Sequence, residues 1–298
     1  MAATVGDTIQ AIRYLLDGGH RGTFNFADGS GTAVQNTITM LDTLDSIIDV
    51  GDIIEVGDEQ MLVRAVSNQI LTVKRGWAGT TATTWADGAT VSLNPQMPAS
   101  VLRRMIGEEI NSLAPTLFQV VTVDIETSPG VEFYPVDLGA LNSYAHRFLR
   151  AELGPAPSDS RAVWAAVYAR PVTDLATSVS TSGLAVMLPT DPGDSRTLRV
   201  SWGCKFDTSV LTDATLLSTI GLLDDWSDII HYGVSAKLSV AREARRNQVS
   251  TLTSQRTIQD VPVQANLQAG QGFRTLRNQR LSEEANKLLM RFPYRMTL

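Results

Sequence analysis

The sequence predicts an α+β chain in which helices flank a small β-meander or barrel and a separate antiparallel β-sandwich of jelly-roll-like character. Three observations predict it. Short apolar runs broken by Gly, Asp and Asn recur between residues 50 and 93. A longer series of such runs fills residues 117–207. Around both lie stretches whose apolar residues keep helical spacing. At 298 residues the chain exceeds one ordinary core. The expected division is 1–116 (helix, small β-module, helix), 117–210 (sandwich), 211–246 (helix) and 247–298 (an extended arm with a terminal helix).

The first helix is expected over residues 7–17, capped by Asp7, with Ile9, Ile12, Leu15 and Leu16 on one face. Gly18 and Gly19 stop it, and His20 to Gln35, rich in Gly, Ser, Thr and Asn, reads as an exposed loop. Strands follow at 52–56, 60–66, 70–74 and 89–93, joined by Gly57-Asp58-Glu59, Ser67-Asn68 and the Arg75–Thr81 loop. So few residues cannot close a core alone, so neighbouring elements or a neighbouring subunit must complete it. Pro98 opens a second helix with Val101, Leu102, Met105, Ile106, Ile110 and Leu113 on its apolar face, and Pro115 ends it.

Six strands are expected in the sandwich: 118–127, 131–136, 144–152, 162–170, 184–188 and 196–206. A helix over 213–246 takes Asp213 as cap and uses Leu216, Ile220, Leu223, Ile230, Val234, Leu238 and Ala241. The polar stretch 247–272 reads as an extended connector, and Leu276, Leu281, Ala285, Leu288 and Leu289 mark a last helix at 273–291. Pro293 ends it.

Composition narrows the function. Apolar residues make up 43%, the level of a folded globular chain, and no apolar run approaches a membrane span. The opening Met1-Ala-Ala-Thr-Val-Gly-Asp7 has no basic or apolar leader segment, so no secretory signal is expected. The single Cys204 leaves no internal disulfide and reads as a buried thiol of a protein made in a reducing compartment. Residues 1–241 hold 15 basic and 27 acidic residues, while 242–298 hold 10 and 4. An acidic body thus carries a basic tail, which suits docking on an acidic partner. Tail aromatics are confined to Phe273, Phe292 and Tyr294, a poor set for reading nucleic acid.

No catalytic constellation stands out. His20, His146 and His231 are scattered without metal-ligand spacing. No nucleophile elbow, zinc-protease or phosphate-loop motif occurs. Asp124 and Glu126 share one face of a strand, and Asp224, Asp225 and Asp228 cluster, but both groups read better as solvated or partner-facing acidic faces. No enzyme, metal or cofactor is expected. Trp77 and Trp85 in the Gly/Thr-rich loop read as a subunit interface, with one of them as the alternative cover of the small barrel. Trp164 and Trp202 read as sandwich core.

Two stretches carry a resemblance. Gly51-Asp-Ile-Ile-Glu-Val-Gly-Asp-Glu-Gln-Met-Leu-Val-Arg-Ala-Val66, with Leu71-Thr-Val-Lys-Arg-Gly-Trp-Ala-Gly-Thr80 and Ala86-Asp-Gly-Ala-Thr-Val91, resembles a module common in tailed-phage virion proteins. Trp85 stands where that module often has His, so no role for that histidine carries over. Leu223-Asp-Asp-Trp-Ser-Asp-Ile-Ile-His-Tyr-Gly-Val-Ser-Ala-Lys-Leu238 looks like the small-residue helix of phage head-to-tail adaptors, also called connector or neck proteins. Together the matches cover about 60 residues of the chain.

The resemblance implies adaptor-type helices in a structural virion protein at the head–tail junction, assembled in the host cytoplasm. Such subunits form a homo-oligomeric ring, usually a dodecamer, under the portal protein and above a downstream neck or tail protein. Double-stranded DNA passes through the lumen without sequence readout, and no membrane is involved. Gly233 and Ala236 would allow close helix packing at a subunit interface. Arg274, Arg277, Arg280, Arg291, Phe292 and Tyr294 would dock on the portal, the tail being mobile until then; packing of the last helix on the chain's own 213–246 helix is the competing arrangement. Two other function classes stay open: a tail or baseplate protein whose sandwich binds a host glycan, and a cell-wall or glycan hydrolase using Asp124 or Glu126.

Overall fold

The computed structural model describes the chain except residues 1–2, 18–22, 42–47, 96, 156–163, 174, 177–179, 194, 210, 253–263 and 293–298. The described residues form an α+β fold in which every strand pairing is antiparallel. Three apolar clusters make its cores: one between helices, one under the small sheet and one inside the sandwich.

Helix α1 spans Val5–Asp17, and α2 spans Ala99–Leu113. The cap of α1 lies before Asp7: the Thr4 amide donates to the Asp7 carboxylate (3.0 Å), and the Asp7 amide donates to Thr4 Oγ1 (3.0 Å). This reciprocal pair satisfies two amides that a helix start otherwise leaves open. Those hydrogen bonds hold the Asp7 carboxyl below its ordinary value.

The small sheet comprises β1 (Thr23–Phe26), β2 (Thr37–Thr39), β3 (Ile53–Val56), β4 (Glu59–Ser67), β5 (Ile70–Lys74) and β6 (Thr90–Leu93), in the order β1-β6-β3-β4-β5-β2. β1 lies within the stretch expected to be a loop. Its alternating Thr-Phe-Asn-Phe lies in a stretch otherwise rich in Gly, Ser, Thr and Asn, and it pairs with the edge that β6 offers. The sheet does not close into a barrel, although the two end strands run on into one bridge, Ala27 to Met40.

The sandwich has a four-stranded sheet, β10-β9-β13-β7, and a three-stranded sheet, β11-β12-β8. The strands are β7 (Gln119–Glu126), β8 (Phe133–Pro135), β9 (Ala145–Leu153), β10 (Ala165–Val167), β11 (Arg170–Val172), β12 (Ala185–Met187) and β13 (Thr197–Cys204). The strand expected at 162–170 is thus two strands that pass from one sheet to the other. Between the sheets lie Tyr134, Val136, Leu153, Val186, Leu198, Val200, Trp202 and Cys204. Burial raises the Cys204 thiol to about 11, so it stays protonated and unreactive at neutral pH.

Helix α3 spans Ser227–Leu252 and α4 spans Ala265–Arg291. No helix starts at Asp213, because residues 213–217 are sewn to the N-terminus. The amides of Val5 and Gly6 donate to the carbonyls of Thr215 (2.9 Å) and Asp213 (3.0 Å), and the Leu217 amide donates to the carbonyl of Ala3 (3.0 Å). A 3-10 turn at Leu217–Ile220 then ends on Gly221 with φ 87°. The expected connector 247–272 is helical in both described parts, 247–252 in α3 and 265–272 in α4; the remainder lies outside the described residues. Polarity misled here because only one side of α4 is covered. Val5, Ile9, Leu102, Ile106, Ile110, Trp226, Ile230 and Val234 build the helical core, and Leu281, Ala285 and Leu288 of α4 pack against it. Each fully buried residue of this size contributes on the order of 1.5–3 kcal/mol.

Candidate interaction surfaces

Turn and loop residues between 59 and 83 converge on one buried ion pair. Glu59, at the start of β4, is fully buried, and Arg75, just after β5, reaches it with two parallel hydrogen bonds (2.7 and 2.6 Å). The amides of Gly76 and Thr83 also donate to Glu59, both at 2.9 Å. Arg75 spends its other donors on the carbonyls of Thr32 (2.8 Å), Gln35 (2.6 Å) and Thr83 (2.5 Å). All five guanidinium donors are therefore occupied, which offsets the cost of burying the charges. Burial alone would raise the Glu59 carboxyl, but the hydrogen bonds from Arg75, Thr83 and Gly76 outweigh it and hold the group below its ordinary value.

Trp85 sits beneath this knot, with the Arg75 guanidinium 4.9 Å from its ring centre. It is 7% exposed and belongs to the small sheet's own core. A side chain at Gly31 would meet the Trp85 ring at 2.0 Å, so glycine is required there. Trp85 is therefore a cover of the small sheet and is withdrawn as an interface residue. Trp77 is half-buried in a 3-10 turn, with Lys74 Nζ 5.2 Å from its ring, and keeps an outer surface.

A second buried carboxylate joins three helices. Glu109 of α2 accepts a hydrogen bond from Arg277 Nε of α4 and lies 2.6 Å from Lys237 of α3. It has room because α3 has Gly233 opposite; a Cβ there would come within 2.3 Å of the Glu109 carboxylate. Ala236 and Ser239 of α3 likewise face Gly270 of α4. The small residues Gly233 and Ala236 thus serve close packing within the chain, and both are buried. Glu109 was missed in the sequence because charge argues for exposure. Its position was still a signal: it lies seven residues after Leu102, on the buried stripe.

Of the tail residues, Arg280 is paired with Asp228 (2.7 Å), Glu283 (2.9 Å) and Glu284 (3.2 Å), so both Arg277 and Arg280 are committed to the chain's own carboxylates. This is the intramolecular arrangement rather than a free docking tail: α4 already has its partner in α2 and α3. Arg274 and Arg291 are exposed. Phe292 is buried, with the guanidinium of Arg150 on β9 5.4 Å from its ring, so the end of α4 reaches the four-stranded sheet. Tyr294 lies outside the described residues.

The small sheet is tied to the helices by two further charge clusters. Glu55 of β3 accepts from Arg13 of α1 (2.5 Å) and from the Ala99 amide that opens α2 (2.9 Å). Burial, only partly opposed by Arg13, raises the Glu55 carboxyl. Arg103 of α2 bridges Asp58 and Asp213. A cavity of about 380 Å³ beside Glu55 is lined by Thr4, Asp7, Arg13, Ser92 and Asp213. Among the described residues no group of His, Cys, Asp and Glu is placed to hold a metal ion. No described helix is long and apolar enough to cross a membrane.

On the sandwich, Asp124 is engaged by Arg199 in a bidentate pair (2.8 and 2.7 Å), while Glu126 is exposed on the same face. Trp164, expected in the core, is half-buried outside it, with the Arg199 guanidinium 3.9 Å from its ring. Trp202 is core as expected. No protein-family model matches the chain, and no curated protein matches it in sequence.

Proposed function

We propose that this chain is a structural subunit of a tailed-phage particle, a head-to-tail adaptor that forms a ring under the portal, extends the DNA channel and joins capsid to tail. The observation that carries the reading is the Glu59–Arg75 knot. Glu59, Arg75, Gly76 and Thr80 are positions of the virion-module resemblance, and they meet in space. Glu59 binds Arg75 and the Gly76 amide, and the Gln60 amide donates to Thr80 Oγ1 (3.0 Å). A resemblance whose residues converge on one buried network is a resemblance of local structure, because each residue type is demanded by the contact it makes.

Function then follows from geometry. A heterologous interface repeated by rotation closes a ring. A lumen of neutral or acidic character lets DNA pass without adhering through its phosphates. Portal docking falls to the outward Arg274 and Arg291, which can pair bidentately with carboxylates. Electron microscopy of the purified chain, alone and mixed with purified portal, tests the reading. Rings that cap the portal support it; a chain that neither assembles nor binds portal overturns it.

One observation favours the second reading, a glycan-binding tail or baseplate protein: Trp164, Arg199 and Asp124 form a part-exposed aromatic and charged group on the sandwich. Glycan-array binding abolished by Trp164→Ala would establish that reading in place of the first.

A further inference from the structure

Both sandwich sheets run across the module in the same sense. β10 and β11 are consecutive and form one flank, and β7 and β8 form the other. The strongly exposed large apolar side chains of the sandwich, among the described residues, all lie on these flanks. Val120 (36%), Val131 (39%) and Phe133 (41%) are on the β7–β8 side, and Tyr168 (55%) is on the β10–β11 side. Val121, Val123 and Ile125 of β7 pack toward the core yet remain half-buried.

The edges of the two sheets differ in chemistry. In the three-stranded sheet, edge strand β8 carries Pro135 and edge strand β11 carries Pro171. Proline lacks an N–H, and proteins use it to keep sheet edges from pairing further. In the four-stranded sheet, edge strands β7 (Gln-Val-Val-Thr-Val-Asp-Ile-Glu) and β10 (Ala-Ala-Val) carry neither proline nor lysine. Among the described residues no backbone group pairs with the outer side of β7. An eight-residue valine-rich edge without such protection is a pairing surface.

We infer that the four-stranded sheet continues into a second copy of the chain, β7 of one subunit pairing with β10 of the next. Strand direction decides the match. The four strands alternate, each pairing antiparallel, so β7 and β10 of one subunit run in opposite senses. A neighbour generated by rotation about an axis along the strands presents its β10 antiparallel to β7. In the three-stranded sheet, β8 and β11 run the same way, so that rotation would bring parallel, proline-bearing edges together. The join therefore forms in one sheet, with Phe133 and Tyr168 packing beside it. This inference rests on the ring reading, which requires two different surfaces to meet.

Cysteine cross-linking tests it. Thr122→Cys and Ala166→Cys combined in one chain should give, under mild oxidation, a ladder of dimers, trimers and higher species, while each single variant gives none. Val120→Lys and Phe133→Glu should leave melting of the subunit unchanged and abolish assembly. Dimers from Thr122→Cys alone would mean two-fold β7–β7 pairing and overturn the inference. Portal-capping rings that form without any ladder would overturn it and leave the adaptor reading intact. A chain that forms no oligomer with or without portal would overturn both.

Discussion

The small sheet and the sandwich are both antiparallel, yet they are held in opposite ways. The small sheet packs its own apolar core and fixes its loops with a buried ion pair whose every guanidinium donor is used, Glu59 with Arg75 over Trp85. The sandwich core includes Trp202 and Cys204 and has no comparable internal ion pair among its described residues; its Arg199–Asp124 pair lies at the surface. The small sheet brings its end strands together at Ala27 and Met40, whereas among the described residues no strand pairs beyond β7 or β10 of the four-stranded sheet. The lesson is one of where a module meets its unsatisfied groups. In the small sheet buried charge pins the loops over an apolar core, whereas among the described residues of the sandwich apolar packing does this and charge stays at the surface.

The largest expected effect breaks the first half of that contrast. Glu59→Ala leaves the Arg75 guanidinium buried without its carboxylate, and breaking such a pair costs about 3–5 kcal/mol. Chemical denaturation of the variant measures it. Trp202→Ala should cost a similar ~3–5 kcal/mol by opening a cavity in the sandwich, but the two losses should differ in pH dependence. The Glu59 carboxyl is held low in the folded chain. Its contribution is therefore present above the unfolded carboxylate value and is lost as pH falls through the folded value. Acidification should thus shrink the stability gap between wild type and Glu59→Ala and leave the Trp202→Ala gap unchanged. Glu55 carries the opposite sign. Burial raises it, so its contribution is present below the unfolded value and is lost as pH rises through the folded one.

Next in size is Gly233→Leu. The new side chain collides with the Glu109 carboxylate, so α2, α3 and α4 must part. Overpacking of this kind costs about 1–3 kcal/mol, and thermal melting of the isolated subunit should report it even where no assembly occurs. An unchanged melting temperature would remove the three-helix junction from the account. The smallest effect is Asp124→Asn. Its pair with Arg199 is solvent-exposed, and such pairs contribute about 0–1 kcal/mol. A larger loss on denaturation would mean that the sandwich, too, depends on charge, and the contrast would fail.

Much of this architecture was legible in the residues. The α2 face Leu102, Ile106, Ile110 and Leu113 is buried as its spacing predicts, and β3 to β6 and most sandwich strands fall where alternation and turn residues place them. Missed features share one cause: each depends on a distant partner. β1 needs β6, the segment 213–217 is drawn from helix into pairing with residues 3–6, and polar α4 is helical because α3 and Glu109 receive it. Trp85 and Gly233, expected at a subunit boundary, are used inside the chain for the same reason.

Sequence alone determined the kinds of element and most of their positions, because periodicity, glycine and proline act over a few neighbouring residues. The likeness around Glu59 and Arg75 also belongs to the sequence. Tertiary structure decided which charges are spent. It buried Glu59 and Glu109, turned Arg277 and Arg280 inward, and left β7 with no strand on its outer side among the described residues. Charge interactions depend on distance and burial across the whole fold, and neither is written in the order of the residues.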